Sequence, residues 1–158
     1  MIAFATDVRI DRPIEEVFSY VSDPLNLPRW NSAVRTVRKT STAENGAAST
    51  YLMERELPTG HAVNDLEVVA SEGPREFAVR STAGPTPFLY HYRFSADNGE
   101  TVMRLDAQVE LPGAAAFLPQ LAHRAVKKGV DDNLATLKQI LEAAPRRSPV
   151  RVRPAPFA

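Results

Sequence analysis

The sequence predicts an α+β domain built from a strand, two short helices, six further strands and one long C-terminal helix. Three observations carry this prediction. Residues 4–10 alternate apolar and polar, five turn signals divide residues 33–111 into six segments of strand character, and beyond Pro112-Gly113 the apolar spacing changes to threes and fours.

In the first segment Phe4, Thr6, Val8 and Ile10 alternate with Ala5, Asp7 and Arg9, the period of a half-buried strand. Asp11 is expected to cap a helix whose first residue is Pro13, with Glu15 and Glu16 in the first turn and Val17, Phe18 and Val21 as the apolar face. Ser22-Asp23-Pro24 ends that helix, and a second short helix or turn fits Leu25 to Trp30. The turn signals that follow are Asn45-Gly46, Pro58-Thr59-Gly60, Glu72-Gly73-Pro74, Gly84-Pro85-Thr86-Pro87 and Asp97-Asn98-Gly99. Two strands are clearest. Phe88, Tyr90, Tyr92 and Phe94 share one face of the first; Met103, Leu105, Ala107, Val109 and Leu111 share one face of the second, so one side of the sheet is apolar and the other wet. Leu118, Ala122, Val126, Val130, Leu134, Leu137 and Leu141 then form a single helical stripe, with Pro119 and Gly129 predicting either a start near Pro119 or a bend.

The chain has 158 residues, 44% of them hydrophobic, no cysteine, and 19 basic against 19 acidic side chains. A single core of this size buries roughly two thirds of the unfolded chain's surface, so no staple is required. Without cysteine there is no thiolate zinc site, iron–sulfur ligation, disulfide or cysteine nucleophile. Asp7, Arg9 and Asp11 interrupt the apolar start, and no apolar run approaches the roughly 20 residues of a membrane span, so a cytoplasmic protein is the default expectation. The charge balance hides an asymmetry. Residues 145–158 hold four of the 19 basic residues, four prolines and no acid, which leaves a body at residues 1–144 with 15 basic and 19 acidic groups, about −4. The prediction is one domain over 1–144 followed by a basic, Pro/Arg-rich disordered tail over 145–158.

Several stretches carry a family resemblance: Ile10-Asp11-Arg12-Pro13-Ile14-Glu15-Glu16-Val17-Phe18, Ser22-Asp23-Pro24 with Pro28-Arg29-Trp30-Asn31, Glu72-Gly73-Pro74-Arg75, Asn98-Gly99-Glu100-Thr101, and residues Asn133 to Glu142. In this order and spacing they resemble the START-like superfamily often called SRPBCC, in its polyketide cyclase/dehydrase and lipid-transport branch, over about Phe4 to Glu142. The resemblance implies the helix-grip fold also seen in the birch-pollen allergen, in which a curved antiparallel sheet grips the long C-terminal helix over a cavity for a hydrophobic or amphipathic small molecule. It implies no cofactor.

Strand parity and helix phase nominate the residues facing such a cavity: Trp30, Tyr51, Met53, Arg55, Phe77, Val79, Tyr90, Tyr92, Phe94, Met103 and Leu105, with Leu118, Ala122, His123 and Val126 from the helix. These side chains either wall a binding site, with a few polar atoms to orient a ligand, or fill an ordinary core. A buried Arg55 needs a carboxylate, for which Glu67 or Asp65 are candidates, or an anionic ligand. His123, on the stripe, is the candidate acid or base; alternatively it bonds a sheet tyrosine or stands exposed. His61 at a turn and His91 on the outer face are not expected to act. The chain has no closely spaced histidine pair, nucleotide loop or serine-hydrolase motif, so metal, dinucleotide and nucleic-acid partners are not expected.

Two functions follow as alternatives: binding or carriage of an apolar, lipid-like or polyketide-like molecule, and a cyclase, aromatase or dehydratase in which His123 acts as base and a tyrosine or Arg55 as oxyanion partner. A protein-interaction role through the outer face or tail is a third. Oligomeric state is open, monomer or dimer.

Overall fold

The computed structural model describes residues 1–42, 46–111, 113 and 117–146. The element order is the one the sequence predicts: β1 (Ile2–Ile10), α1 (Ile14–Val21), a 3-10 turn (Pro24–Asn26), α2 (Leu27–Trp30), β2 (Val34–Lys39), β3 (Thr50–Leu57), β4 (Gly60–Glu72), β5 (Glu76–Ser81), β6 (Phe88–Asp97), β7 (Glu100–Val109) and α3 (Pro119–Ala143). Asn45 of the first turn signal, Pro112, and the predicted tail from 147 onward lie outside the described residues.

The seven strands form one antiparallel sheet in the order β1-β7-β6-β5-β4-β3-β2. β2 to β7 pair with their sequence neighbours, as short turns dictate, and β1 pairs with β7 from Ile2↔Val109 to Ile10↔Thr101. Register shifts at Val34/Thr36 in β2 and Val68/Ala70 in β4 add a residue to one strand, which bends it and curves the sheet. On the concave side Tyr51, Met53, Leu66, Val68, Phe77, Val79, Tyr92, Phe94, Met103 and Leu105 are all buried. The convex side carries ion pairs: Arg93–Asp106 at 2.8 Å, Arg80–Glu67 at 2.8 Å and His91–Glu76 at 2.6 Å.

Two expectations about the helices are corrected. Asp11 does not cap α1. Pro13 occupies the cap with an extended ψ of 148° and its carbonyl accepts from Glu16 and Val17, while the Asp11 carboxylate pairs with Arg146 at 2.6 Å. The apolar stripe of α3 is also not buried throughout. Val130, Leu134, Leu137 and Leu141 are buried, whereas Leu118 and Leu121 are more than 60% exposed and Ala122, His123 and Val126 are only half-buried. Helical phase reports which side chains share a face, and only the second half of this face meets the core.

The second half of α3 is fixed at both ends. Thr6 Oγ1 donates to Asp131 Oδ1 at 2.7 Å, joining β1 to the helix. At the helix C-terminus the buried Arg12 guanidinium donates to the carbonyls of Glu142 (2.6 Å) and Ala144, satisfying acceptors that the helix cannot satisfy itself. No helix among the described residues is long and apolar enough to cross a membrane.

Candidate ligand chamber between sheet and helix

Between the concave face and α3 lies a chamber of about 60 Å³, room for a few waters. Its walls are Met53 and Arg55 of β3, Leu66 of β4, Val79 of β5, Phe88, Tyr90 and Tyr92 of β6 and Leu105 of β7. Its lid is Leu27, Trp30 and Asn31 around α2, with Val130, Asn133 and Leu134 of α3. Among the described residues there are also larger open surface grooves, such as the one lined by Leu89, His91, Arg93, Arg104 and Asp106 on the convex face.

The lid residues are placed by local chemistry. Asp23 caps the 3-10 turn by accepting from Leu25 N at 3.0 Å, and Pro24 and Pro28 sit in first-turn positions where no N–H is missed. This delivers Trp30 into the interior at 4% exposure, with its Nε1–H left without an acceptor. The Asn31 carboxamide oxygen accepts from Ala33 N at 3.1 Å, and that of Asn133 accepts from Ser32 N at 3.1 Å. The second bond also pins α3 to the α2–β2 junction.

Arg55 is held differently from the expectation. Neither Glu67 nor Asp65 reaches it; Glu67 belongs to Arg80 on the convex face. Instead Nε and Nη2 donate to Asn64 Oδ1 at 3.0 and 2.7 Å, and Nη2 also donates to Pro85 O at 2.8 Å and Thr86 Oγ1 at 2.7 Å. Asn64 is fully buried and in turn donates to Ser81 Oγ, Ala83 O and Pro85 O, so the loop between β5 and β6 is tied to the guanidinium. Gly84 makes the close approach possible. Its φ is +100°, and a Cβ there would lie 2.3 Å from Val63 O and 2.8 Å from Asn64 Nδ2. The Phe88 ring stands 5.9 Å from the guanidinium carbon and packs against Tyr90 with ring centres 4.6 Å apart.

Burial governs the ionisation of these groups. It lowers the Arg55 pKa, although a guanidinium remains charged at any physiological pH. It pushes the Tyr90 phenol up, against a smaller downward pull from the Arg55 charge, and pushes Tyr92 up strongly. Both tyrosines therefore serve as neutral hydroxyls.

Of the residues nominated from sequence, Trp30, Met53, Arg55, Val79, Tyr90, Tyr92 and Leu105 come together around the chamber. The others do not line it. Phe77 stacks behind Tyr92 with centres 6.0 Å apart, Phe94 packs edge-on to Phe18 of α1, Met103 fills the core beneath, and Tyr51 is buried opposite Leu66 in the β3–β4 pair. Leu118, Ala122 and Val126 lie on the part of α3 that precedes the core contact. His123 is corrected with them: its ring stands edge-on to Phe4 of β1 at 5.8 Å, beside Pro119 and Gln120. Parity missed Leu66 and Phe88 only in the nomination, since both share a face with residues that were named. Asn31 and Asn133 carry no hydrophobic signal, and only their tertiary hydrogen bonds reveal them.

The sequence matches the family model described as polyketide cyclase / dehydrase and lipid transport over residues 1–142. No curated protein matches it. Among solved structures, the chain is similar to a START superfamily protein from Mycobacterium smegmatis, with 16% identity over 89% of this chain and 97% of that one, at a TM-score of 0.73. It is similar to Ara h 8.0201, with 12% identity, 90% and 99% coverage and a TM-score of 0.71. It also resembles the di-domain ARO/CYC StfQ from the steffimycin biosynthetic pathway, with 14% identity over 89% of this chain and 51% of that one, at a TM-score of 0.71. At these identities the structural likeness establishes the helix-grip fold, and the family match over 142 of the 158 residues assigns the chain to the polyketide cyclase / dehydrase and lipid transport family.

Proposed function

We propose that the protein binds a hydrophobic or amphipathic small molecule in the chamber between the sheet and α3. The observation that carries this reading is the Trp30 Nε1–H, buried at the chamber wall without an acceptor. An orphaned buried donor costs roughly 1–3 kcal/mol, and a ligand oxygen in the chamber would remove that cost. The surrounding aromatic and aliphatic walls supply apolar burial at about 25 cal/mol per Å². A ligand larger than a few waters requires the walls to part.

The binding reading is favoured over the cyclase or dehydratase reading by the composition of the walls. Among the described residues that line the chamber there is no carboxylate and no imidazole, and His123, the base that the catalytic scheme needs, stands against Phe4 instead. Arg55 and Tyr90 are suited to hold an oxyanion, but they cannot take up a proton at neutral pH.

The test is native mass spectrometry and solvent extraction of protein purified without detergent, with emission from Trp30, the only tryptophan, followed as apolar compounds are added. A co-purifying organic molecule, or a saturable change in Trp30 emission, is the expected result. A clean apo mass with emission unmoved by any compound up to its solubility would overturn the proposal.

A further inference from the structure

Building on the ligand-binding reading above, we infer that the ligand is an organic acid: an apolar body whose anionic oxygen meets Arg55 Nη1. The guanidinium carries a full charge at the chamber wall, yet all its hydrogen bonds go to neutral oxygens, those of Asn64, Pro85 and Thr86. Those bonds engage Nε and Nη2. Among the described residues Nη1 has no acceptor and no carboxylate lies within ion-pair distance of Arg55. A charge brought into an apolar chamber is stabilised by a counter-ion far more than by neutral acceptors, and a charge-assisted hydrogen bond is about twice as strong as a neutral one.

The opposite side of the chamber makes the same demand in neutral form. The carboxamide oxygens of Asn31 and Asn133 each accept a backbone N–H, and Trp30, in the same lining, keeps its Nε1–H without an acceptor. The lining thus offers donors at Arg55, Trp30 and the tyrosine hydroxyls, with acceptor capacity in those hydroxyls and in the asparagine oxygens. A molecule that satisfies it carries acceptors at two places, a charged one toward Arg55 and a neutral oxygen toward Trp30. A neutral hydrocarbon or an amine does neither.

The inference is tested by titrating the full-length protein in a calorimeter with 2-naphthoate and 2-naphthylmethanol, which share an apolar body and differ in the acid. Binding of the naphthoate at least tenfold tighter, with the preference lost in Arg55→Gln and kept in the convex-face control Arg80→Gln, is the expected result. Equal affinities for the two compounds overturn the inference and leave the ligand-binding reading standing. Loss of the preference in Arg80→Gln also overturns it, because the acid would then be seated on the convex face. Failure to bind either compound also overturns the inference, while the ligand-binding reading stands or falls separately on the native mass and Trp30 emission measurements. The wild-type comparison and the Arg80 control decide the matter even if Arg55→Gln does not fold.

Discussion

Arg93 and Arg55 stand on the same sheet, one on each face, and the protein treats them in opposite ways. On the convex face Arg93 meets Asp106 at 2.8 Å, Arg80 meets Glu67 and Arg104 meets Asp106, all in partial contact with water. Toward the chamber Arg55 has a prepared set of oxygens, none of them charged. Exposed pairs of this kind contribute little because water screens them and the long side chains lose entropy in forming them. The convex ladder therefore sets solubility and sheet register, while the concave arginine holds an electrostatic demand that the chain itself leaves unmet. The difference separates charge neutralised by a counter-charge from charge held by neutral oxygens alone among the described residues.

The largest effect that sharpens this contrast is expected at Asn64. Asn64→Ala removes the acceptor of two Arg55 hydrogen bonds and takes a donor from the Ala83 and Pro85 carbonyls of the β5–β6 loop, at a cost of about 2–3 kcal/mol in urea unfolding. A cost near zero would mean that the guanidinium relaxes into water, and the two faces would then be alike. A smaller effect is expected on acidification. Burial alone would raise the Asp131 pKa, but hydrogen bonds from Lys127 and Thr6 outweigh it and hold the carboxyl below its ordinary range; Lys138 does the same for Glu142. A carboxyl depressed in the folded state stabilises it fully above the unfolded value near pH 4, and that contribution is lost as pH falls through the folded pKa. The melting temperature is thus expected to drop below about pH 4, less steeply in Asp131→Asn, with α3 amides exchanging first. The smallest effect is expected at Arg93→Ala, about 0.5 kcal/mol. If Arg93→Ala destabilises as much as Asn64→Ala, the proposed contrast between the faces fails.

The order of elements was legible because each strand ends in turn chemistry that local sequence dictates, as at Gly84-Pro85 and Asn98-Gly99, and because the period changes from two to three and four after the last strand. Parity also found the concave face. It could not separate the chamber wall from the filled core, since Tyr92 and Phe94 share that face while one lines the space and the other meets Phe18. That division depends on sheet curvature and on where α1 lands, which are properties of the whole fold. The placement of His123 has a related cause: helical phase put it on the right stripe, but it comes before the point at which that stripe meets the core. The Asn64 cradle left no trace in the pattern, because a buried amide bonded to residues 9 to 21 positions away has no period.

The last strand of the sheet order, β2, has only one paired neighbour, β3. Its six residues include Arg35, Arg38 and Lys39, and its register slips at Val34/Thr36. An open strand edge is a template for another chain, and docking a second β2 along it would set two rows of cations side by side on a kinked backbone. Arg35 and Arg38 thus oppose the docking of a second β2 along this edge, most strongly at low salt, where their repulsion is least screened.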